Sequence, residues 1–228
     1  SPAAAEETEK PDLDELMTQL DSLVGLDEVK RDIKNLINLV KVRKLRQEND
    51  LPVPPLSLHM VFLGNPGTGK TTVARLVSGI YAAIGVLSKG QLVEVDRSGL
   101  VAGYVGQTAL KTQEAIKSAI GGVLFIDGEN DFGREAIETI LKAMEDHRDD
   151  LIVIVAGYTQ PMTDFINSNP GLQSRFNKYF YFLDYNGEQL MEIFRGQCRK
   201  NGYTLTEEAE KYAVEMFTEL YEERGENF

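Results

Sequence analysis

The 228-residue sequence has no tryptophan, one cysteine and two histidines, and its 36 acidic residues outnumber 24 basic ones. Each shortage closes off a class of function. The lone Cys198 cannot form an internal disulfide, and with His59 and His147 it offers no zinc-ligand spacing, so any metal is expected to arrive with a phosphate ligand. The formal charge of -12 opposes a phosphate backbone as the principal partner, which makes nucleic acid an unexpected one. The one dense basic run, Lys41, Arg43, Lys44 and Arg46, reads as a solvated helix face. No apolar run approaches the ~18–20 residues that span a bilayer, and the start at Ser1 lacks the basic end and apolar stretch of a signal peptide. The expectation is a cytoplasmic globular chain without a membrane span. Its 42% hydrophobic content supports one substantial core and a smaller second domain.

Residues 1–22 read as a flexible arm or in part a cloning remnant, because their first eleven residues are Ala- and Glu-rich with no apolar period. From Val29 the residues Ile33, Leu36, Ile37 and Val40 recur at three- and four-residue intervals, one face of an amphipathic helix. A proline-rich break at 52–55 ends it. Five apolar strands follow, at 60–63, 92–95, 123–126, 151–155 and 179–182, with helical patterns at 72–84 and around Ala136 to Met144. Strands that read as nearly continuous apolar runs and alternate with helices imply a parallel five-stranded sheet covered on both faces. Beyond Asp184 the strand signals stop. Asn186 with Gln189 forms a capping-box pattern for one helix, and a second is expected over 207–223. The domain reading is thus an arm over 1–22, a large α/β domain over 23–184 and the start of a small helical lid over 185–228.

Gly64, Asn65, Pro66, Gly67, Thr68, Gly69, Lys70 and Thr71 fit G-x-x-x-x-G-K-[ST], placed directly after one strand and before a helix. Glycines let the backbone wrap a polyphosphate with successive N–H groups pointing inward, and the helix that follows adds its positive N-terminal end. Lys70 would reach the outer phosphates and Thr71 would ligate magnesium, with Thr72 next in the helix. The strand at 123–126 ends in Asp127, a carboxylate able to hold the magnesium water shell from the other side. The ligand expected from this pair of motifs is ATP with Mg2+. One apolar strand lies between the two motifs and another after the second, an order that suits a sheet with a further strand inserted beside the phosphate-loop strand.

With those residues in place, the chain resembles the AAA+ ATPases, and more narrowly the group of CbbX, stage V sporulation protein K and the type VII secretion ATPases. The likeness runs from about Leu23 to Phe228, and its most telling pieces are Leu23-Val24-Gly25-Leu26, Leu58-His59-Met60 before the phosphate loop, 150–158, and 169–176. The resemblance implies a three-layer P-loop NTPase core followed by a partial helical lid. It also implies that Val24, Gly25 and Leu26 line the adenine pocket. Arg175 would be an arginine finger serving a neighbouring subunit's nucleotide, and Tyr104, with Val105 and Gly106, a pore loop that grips an extended polypeptide. The implied partners are identical subunits in a ring, a hexamer, and a protein substrate that the ring remodels or threads.

The sequence departs from that pattern at two points. The family carries a water-polarising Glu directly after the magnesium Asp, whereas Asp127 is followed by Gly128. The expectation is that the natural protein carries a further segment, with that Glu, between Asp127 and Gly128. The fourth strand ends in Gly157-Tyr158, so Tyr158 stands where relatives outside this group sense the outer phosphate. Two other readings remain: a nucleotide-gated assembly module with little hydrolysis, and a DNA loader or helicase, which the acidic charge disfavours.

Overall fold

A computed structural model describes residues 12–102, 107–128 and 133–223. The chain runs α1 (Leu13–Ser22), α2 (Asp27–Glu48), β1 (Met60–Leu63), α3 (Lys70–Ala83), β2 (Leu92–Val95), α4 (Arg97–Leu100) and α5 (Thr108–Ala119). It continues with β3 (Val123–Asp127), α6 (Gly133–Asp146), β4 (Ile152–Gly157), α7 (Thr159–Asn167), α8 (Pro170–Arg175), β5 (Tyr179–Tyr181), α9 (Gly187–Lys200) and α10 (Glu207–Glu222).

All strand pairs are parallel, in the order β2-β3-β4-β1-β5. Parallel neighbours need crossovers, and the helices that make them cover both faces, which is why β1, β3 and β4 bury almost every side chain. The period of two divides β1 between two cores. Met60 and Phe62 join the core beneath α2 and α3, while Val61 and Leu63 join the one beneath α5, α6 and α7. Phe62 anchors the first through tilted or edge-on contacts with Phe125, Phe180 and Phe182 at 4.9–6.5 Å between centroids. Truncating such a phenylalanine costs about 3–5 kcal/mol. The placement of β4 between β3 and β1 is the inserted-strand order expected from the sequence.

The helix periodicities are borne out in detail. The buried residues of α2 are Val29, Ile33, Leu36, Ile37 and Val40, and α9 opens with the Asn186–Gln189 capping box. One expectation needs correction, and another gains detail. The stretch 1–22 is not an arm throughout: Asp12 caps α1, whose Leu20 is wholly buried and whose Leu16 packs against Gly79 of α3. The apolar period there spans only ten residues and was too short to stand out. The basic run on α2 also does more than face solvent. Arg43 donates to the Pro54 carbonyl, Arg46 to that of Pro52 at 3.0 Å, and Lys44 to that of Ile84 at 3.4 Å, so these cations satisfy carbonyls in loops that have no ladder partner.

Candidate nucleotide site

The phosphate loop leaves β1 at Gly64, whose φ of +154° is open to glycine alone. A Cβ there would stand 2.3 Å from the Phe182 carbonyl oxygen. Gly67 and Gly69 also take positive φ, +77° and +95°, and a Cβ on Gly67 would meet nothing within 4 Å. The loop is therefore shaped by the backbone, with its rim open at Gly67. Thr68 closes it internally, its hydroxyl donating to the Asn65 carbonyl at 2.8 Å. Gly69 caps α3 without any side-chain acceptor, which leaves the helix end to the loop itself.

Lys70, the first residue of α3, is 7% exposed, and its ammonium donates to the carbonyls of Gly64 at 2.8 Å and Asn65 at 2.7 Å. Burial pushes its pKa down, while Asp127 and Asp184 act in the opposite sense. A cation held among carbonyls at the mouth of a glycine loop suits a polyphosphate. Gly64, Pro66, Lys70, Asp127 and Tyr158 line one cleft of about 290 Å3, together with Asp96 at the end of β2. The strand register explains the meeting. Asp127 ends β3 opposite Ala156, two residues before Tyr158, and Val95 pairs with Ile126. Three parallel strands thus deliver Asp96, Asp127 and Tyr158 to the same edge as the loop after β1. The Asp96 carboxylate is held below the usual range by the Ser98 hydroxyl and the Gly99 N–H, both donating to it.

On the other side of the loop lies a pocket of about 410 Å3 lined by Leu26, Asp184, Tyr185, Asn186 and Gln189 among others. The turn before α2 makes one wall: Gly25 and Leu26 both have positive φ, +61° and +56°. That conformation is strained for a leucine, and strain of this kind collects at functional sites. A Cβ on Gly69 would find the Leu26 methyl at 3.5 Å, and one on Gly25 would find the Gln189 amide at 2.6 Å. Of the three adenine-pocket candidates, Leu26 lines this pocket and Gly25 abuts its Gln189 wall, while Val24 is half-buried and outside the lining. Thr71 and Thr72 follow Lys70 in the first turn of α3, Thr71 half-buried and Thr72 exposed.

Arg175 sits apart from both pockets, at the end of α8. Its guanidinium lies 3.5 Å from Glu145 of α6, and its carbonyl accepts from the Ser57 hydroxyl at 2.6 Å. Next to it, buried His59 accepts the Val153 N–H on Nδ1 at 3.0 Å, and burial, with Arg175 and Lys178 nearby, pushes the imidazole from 6.5 down to about 4. One chain therefore brings together Lys70, Asp127, Tyr158 and the loop, and leaves Arg175 elsewhere. Tyr104, Val105 and Gly106 lie outside the described residues, as does Glu129. Among the described residues Asp127 has no glutamate after it, and the Gly128 N–H continues the ladder to the Ala156 carbonyl at 3.2 Å. Sequence reasoning missed Asp96, Asp184 and Tyr185, which belong to no spaced motif, and saw Gln189 only as part of a helix cap and not as a wall of this pocket; only the strand ends could have flagged Asp96.

Residues 60–184 match the model of the ATPase family associated with various cellular activities (AAA), and residues 186–228 match an AAA lid domain. Stage V sporulation protein K of Bacillus subtilis is 47% identical over 206 residues, which cover 87% of this chain and 64% of that protein. Protein CfxQ homolog of Galdieria sulphuraria is 46% identical over 92% of this chain and 72% of its own length. Protein CbbX of Cereibacter sphaeroides is 46% identical over 86% and 67%, respectively. The fold is shared with a lysine-to-arginine mutant of Thermotoga maritima RuvB, at TM-score 0.58 and 18% identity over 89% of this chain and 63% of that one. A five-stranded parallel sheet in this order, a glycine loop with a buried lysine, and these matches together place the chain in the AAA family of ATPases.

Proposed function

We propose that this chain binds ATP with magnesium and that its hydrolysis drives a ring of identical subunits that remodels or threads a protein substrate. The observation that carries the nucleotide reading is the cleft that Lys70 and Asp127 line together with Gly64 and Pro66 of the glycine loop. In this reading the amides of 65–70 and the Lys70 ammonium bind the polyphosphate, and Thr71 and Asp127 hold the metal. Bound magnesium supplies charge neutralisation and alignment of the phosphate oxygens. Leu26 and its turn exclude water from the base, and Tyr158 stands near the outer phosphate. Arg175, remote from its own chain's loop, serves the neighbouring subunit, where a guanidinium fork stabilises transition-state charge. Tyr104, Val105 and Gly106 form the substrate-gripping loop of that ring. With 36 acidic residues and a single thiol, the chain suits the cytoplasm and not a nucleic-acid backbone.

A second reading, a nucleotide-gated assembly module with little hydrolysis, is favoured by one observation: Gly128 follows Asp127. We read the missing glutamate as belonging to a segment that the natural protein carries between those residues. Peptide mapping of the protein from its native source checks this, and a peptide in which Gly128 directly follows Asp127 refutes it. Measuring ATP affinity and phosphate release together, on a chain whose oligomeric state is known, separates the two readings. Tight binding with turnover supports the motor. Tight binding without turnover supports the module, and absence of ATP binding overturns both.

A further inference from the structure

Alternate residues of the segment entering β1 hold the chain that leaves α8. The Ser57 hydroxyl donates to the Arg175 carbonyl at 2.6 Å, the His59 ring meets that of Phe176 at 6.0 Å between centroids, and the Val61 N–H donates to the Lys178 carbonyl at 2.8 Å. The last carbonyls of a helix have no partner within it, so Ser57 supplies the bond that α8 cannot make for Arg175. Phe176, one residue on, is buried in the core beneath α5, α6 and α7.

His59 ties this clamp to the sheet. Met60 pairs with Ile154 of β4, and one residue earlier, where β1 has not yet begun, the imidazole takes the Val153 N–H at 3.0 Å. Burial keeps the imidazole neutral, so it adds no charge beside Arg175. The guanidinium at the far end of the side chain is held more loosely, 3.4 Å from the Gly171 carbonyl and 3.5 Å from Glu145. Arg175 is thus fixed at its backbone and less constrained at its head. Ser57 and His59 line neither pocket of their own chain and lie at the end of β1 opposite the phosphate loop.

We propose that Ser57 and His59 are positioning residues that aim Arg175 at the nucleotide of a neighbouring subunit. This rests on the reading of Arg175 given above. A guanidinium that stabilises transition-state charge works only at a set distance from the phosphate, and a displacement of ~1 Å can cost on the order of a hundredfold in rate. A long arginine side chain cannot keep that distance unless its backbone is fixed, which is what the Ser57 hydroxyl and the packing of His59 on Phe176 do. Both residues act across the subunit boundary. A fault at Ser57 is felt in the neighbour's site, while the pocket of its own chain keeps its nucleotide.

The test measures ATP turnover in rings of the whole chain, pure and mixed. Ser57→Ala should lower kcat about tenfold and leave the KM for ATP within about twofold, because the arginine acts on the transition state; Ser57→Thr, which keeps the hydroxyl, should restore kcat. Mixed with Lys70→Ala subunits, Ser57→Ala should recover activity, since an intact Lys70 then meets an intact Ser57 and Arg175. Mixed with Arg175→Ala it should recover none, because both faults lie on the same side of the boundary. His59→Asn should sort as Ser57→Ala does, and a different pattern overturns its assignment. Parent-like kcat in Ser57→Ala, no rescue in Ser57→Thr, or recovery with Arg175→Ala refutes the proposal. Recovery with neither partner, in rings where Arg175→Ala and Lys70→Ala complement each other, refutes the proposal alone. If the parent has no turnover, or Arg175→Ala turns over like the parent, the reading of Arg175 falls first, and the proposal with it.

Discussion

Acid should weaken this protein through His59, by an amount the structure allows to be worked out. The imidazole is buried behind the start of β1, its Nδ1 accepts the Val153 N–H at 3.0 Å, and its pKa is pushed down to about 4. Protonation would put a proton between two donors and a new charge beside Arg175. Because the folded pKa lies below the unfolded 6.5, the unfolded chain binds the proton first; stability is fully present above the unfolded value and falls as pH drops towards 4. Between about pH 7.5 and about pH 5 the loss from this one group is about 2 kcal/mol, a large share of a ~5–15 kcal/mol total. For a chain of this size that corresponds to about 4–8 °C in melting temperature. Urea denaturation of the parent and of His59→Asn at both pH values isolates the effect, since the carboxylates and His147 are common to both. The parent is expected to lose about 2 kcal/mol more than the variant over that interval. Equal losses would refute the buried neutral acceptor.

Lys70→Ala should abolish ATP binding, read by calorimetry, while moving the nucleotide-free melting temperature by only a few degrees, about the effect of 1 kcal/mol. The two bonds it makes to Gly64 and Asn65 offset the burial of its charge. Mixed rings of Arg175→Ala and Lys70→Ala subunits should recover part of the ATPase activity lost in each alone, because an intact Lys70 then meets an intact Arg175; no recovery in rings shown to mix argues against a shared site. Gly122→Ala should destabilise the chain by at least about 2 kcal/mol in urea denaturation, since its Cβ would stand 2.1 Å from the Gln91 carbonyl oxygen, which already accepts the Val123 N–H. Tyr104→Ala should leave basal hydrolysis intact and remove substrate remodelling, and an unfolded variant would instead mark Tyr104 as a core residue.

The sequence by itself determined the features that depend on local spacing. The loop from Gly64 to Thr71 was legible because a phosphate cradle needs glycines, a lysine and a helix start at set intervals. The buried face of α2 was legible because 3.6-residue periodicity survives without knowledge of neighbours. The parallel, helix-covered sheet was legible from apolar runs alternating with helical patterns, and the place of the two phosphate motifs among those runs suited an inserted strand, which the pairing bears out. What tertiary structure alone decided is which distant residues share an edge. Asp96 and Tyr158 reach the cleft because register aligns the ends of β2, β3 and β4, and register is a property of pairing, absent from any single strand. Leu16 and Leu20 declare α1 part of the core only once α3 stands beside them. His59 looks like a residue before a strand until Val153, 94 positions away, donates to it. Asp184 and Tyr185 carry no motif because their partners, Asn65 and Thr68, lie 119 and 117 residues back, brought within hydrogen-bond reach only by the closing of β5 against β1.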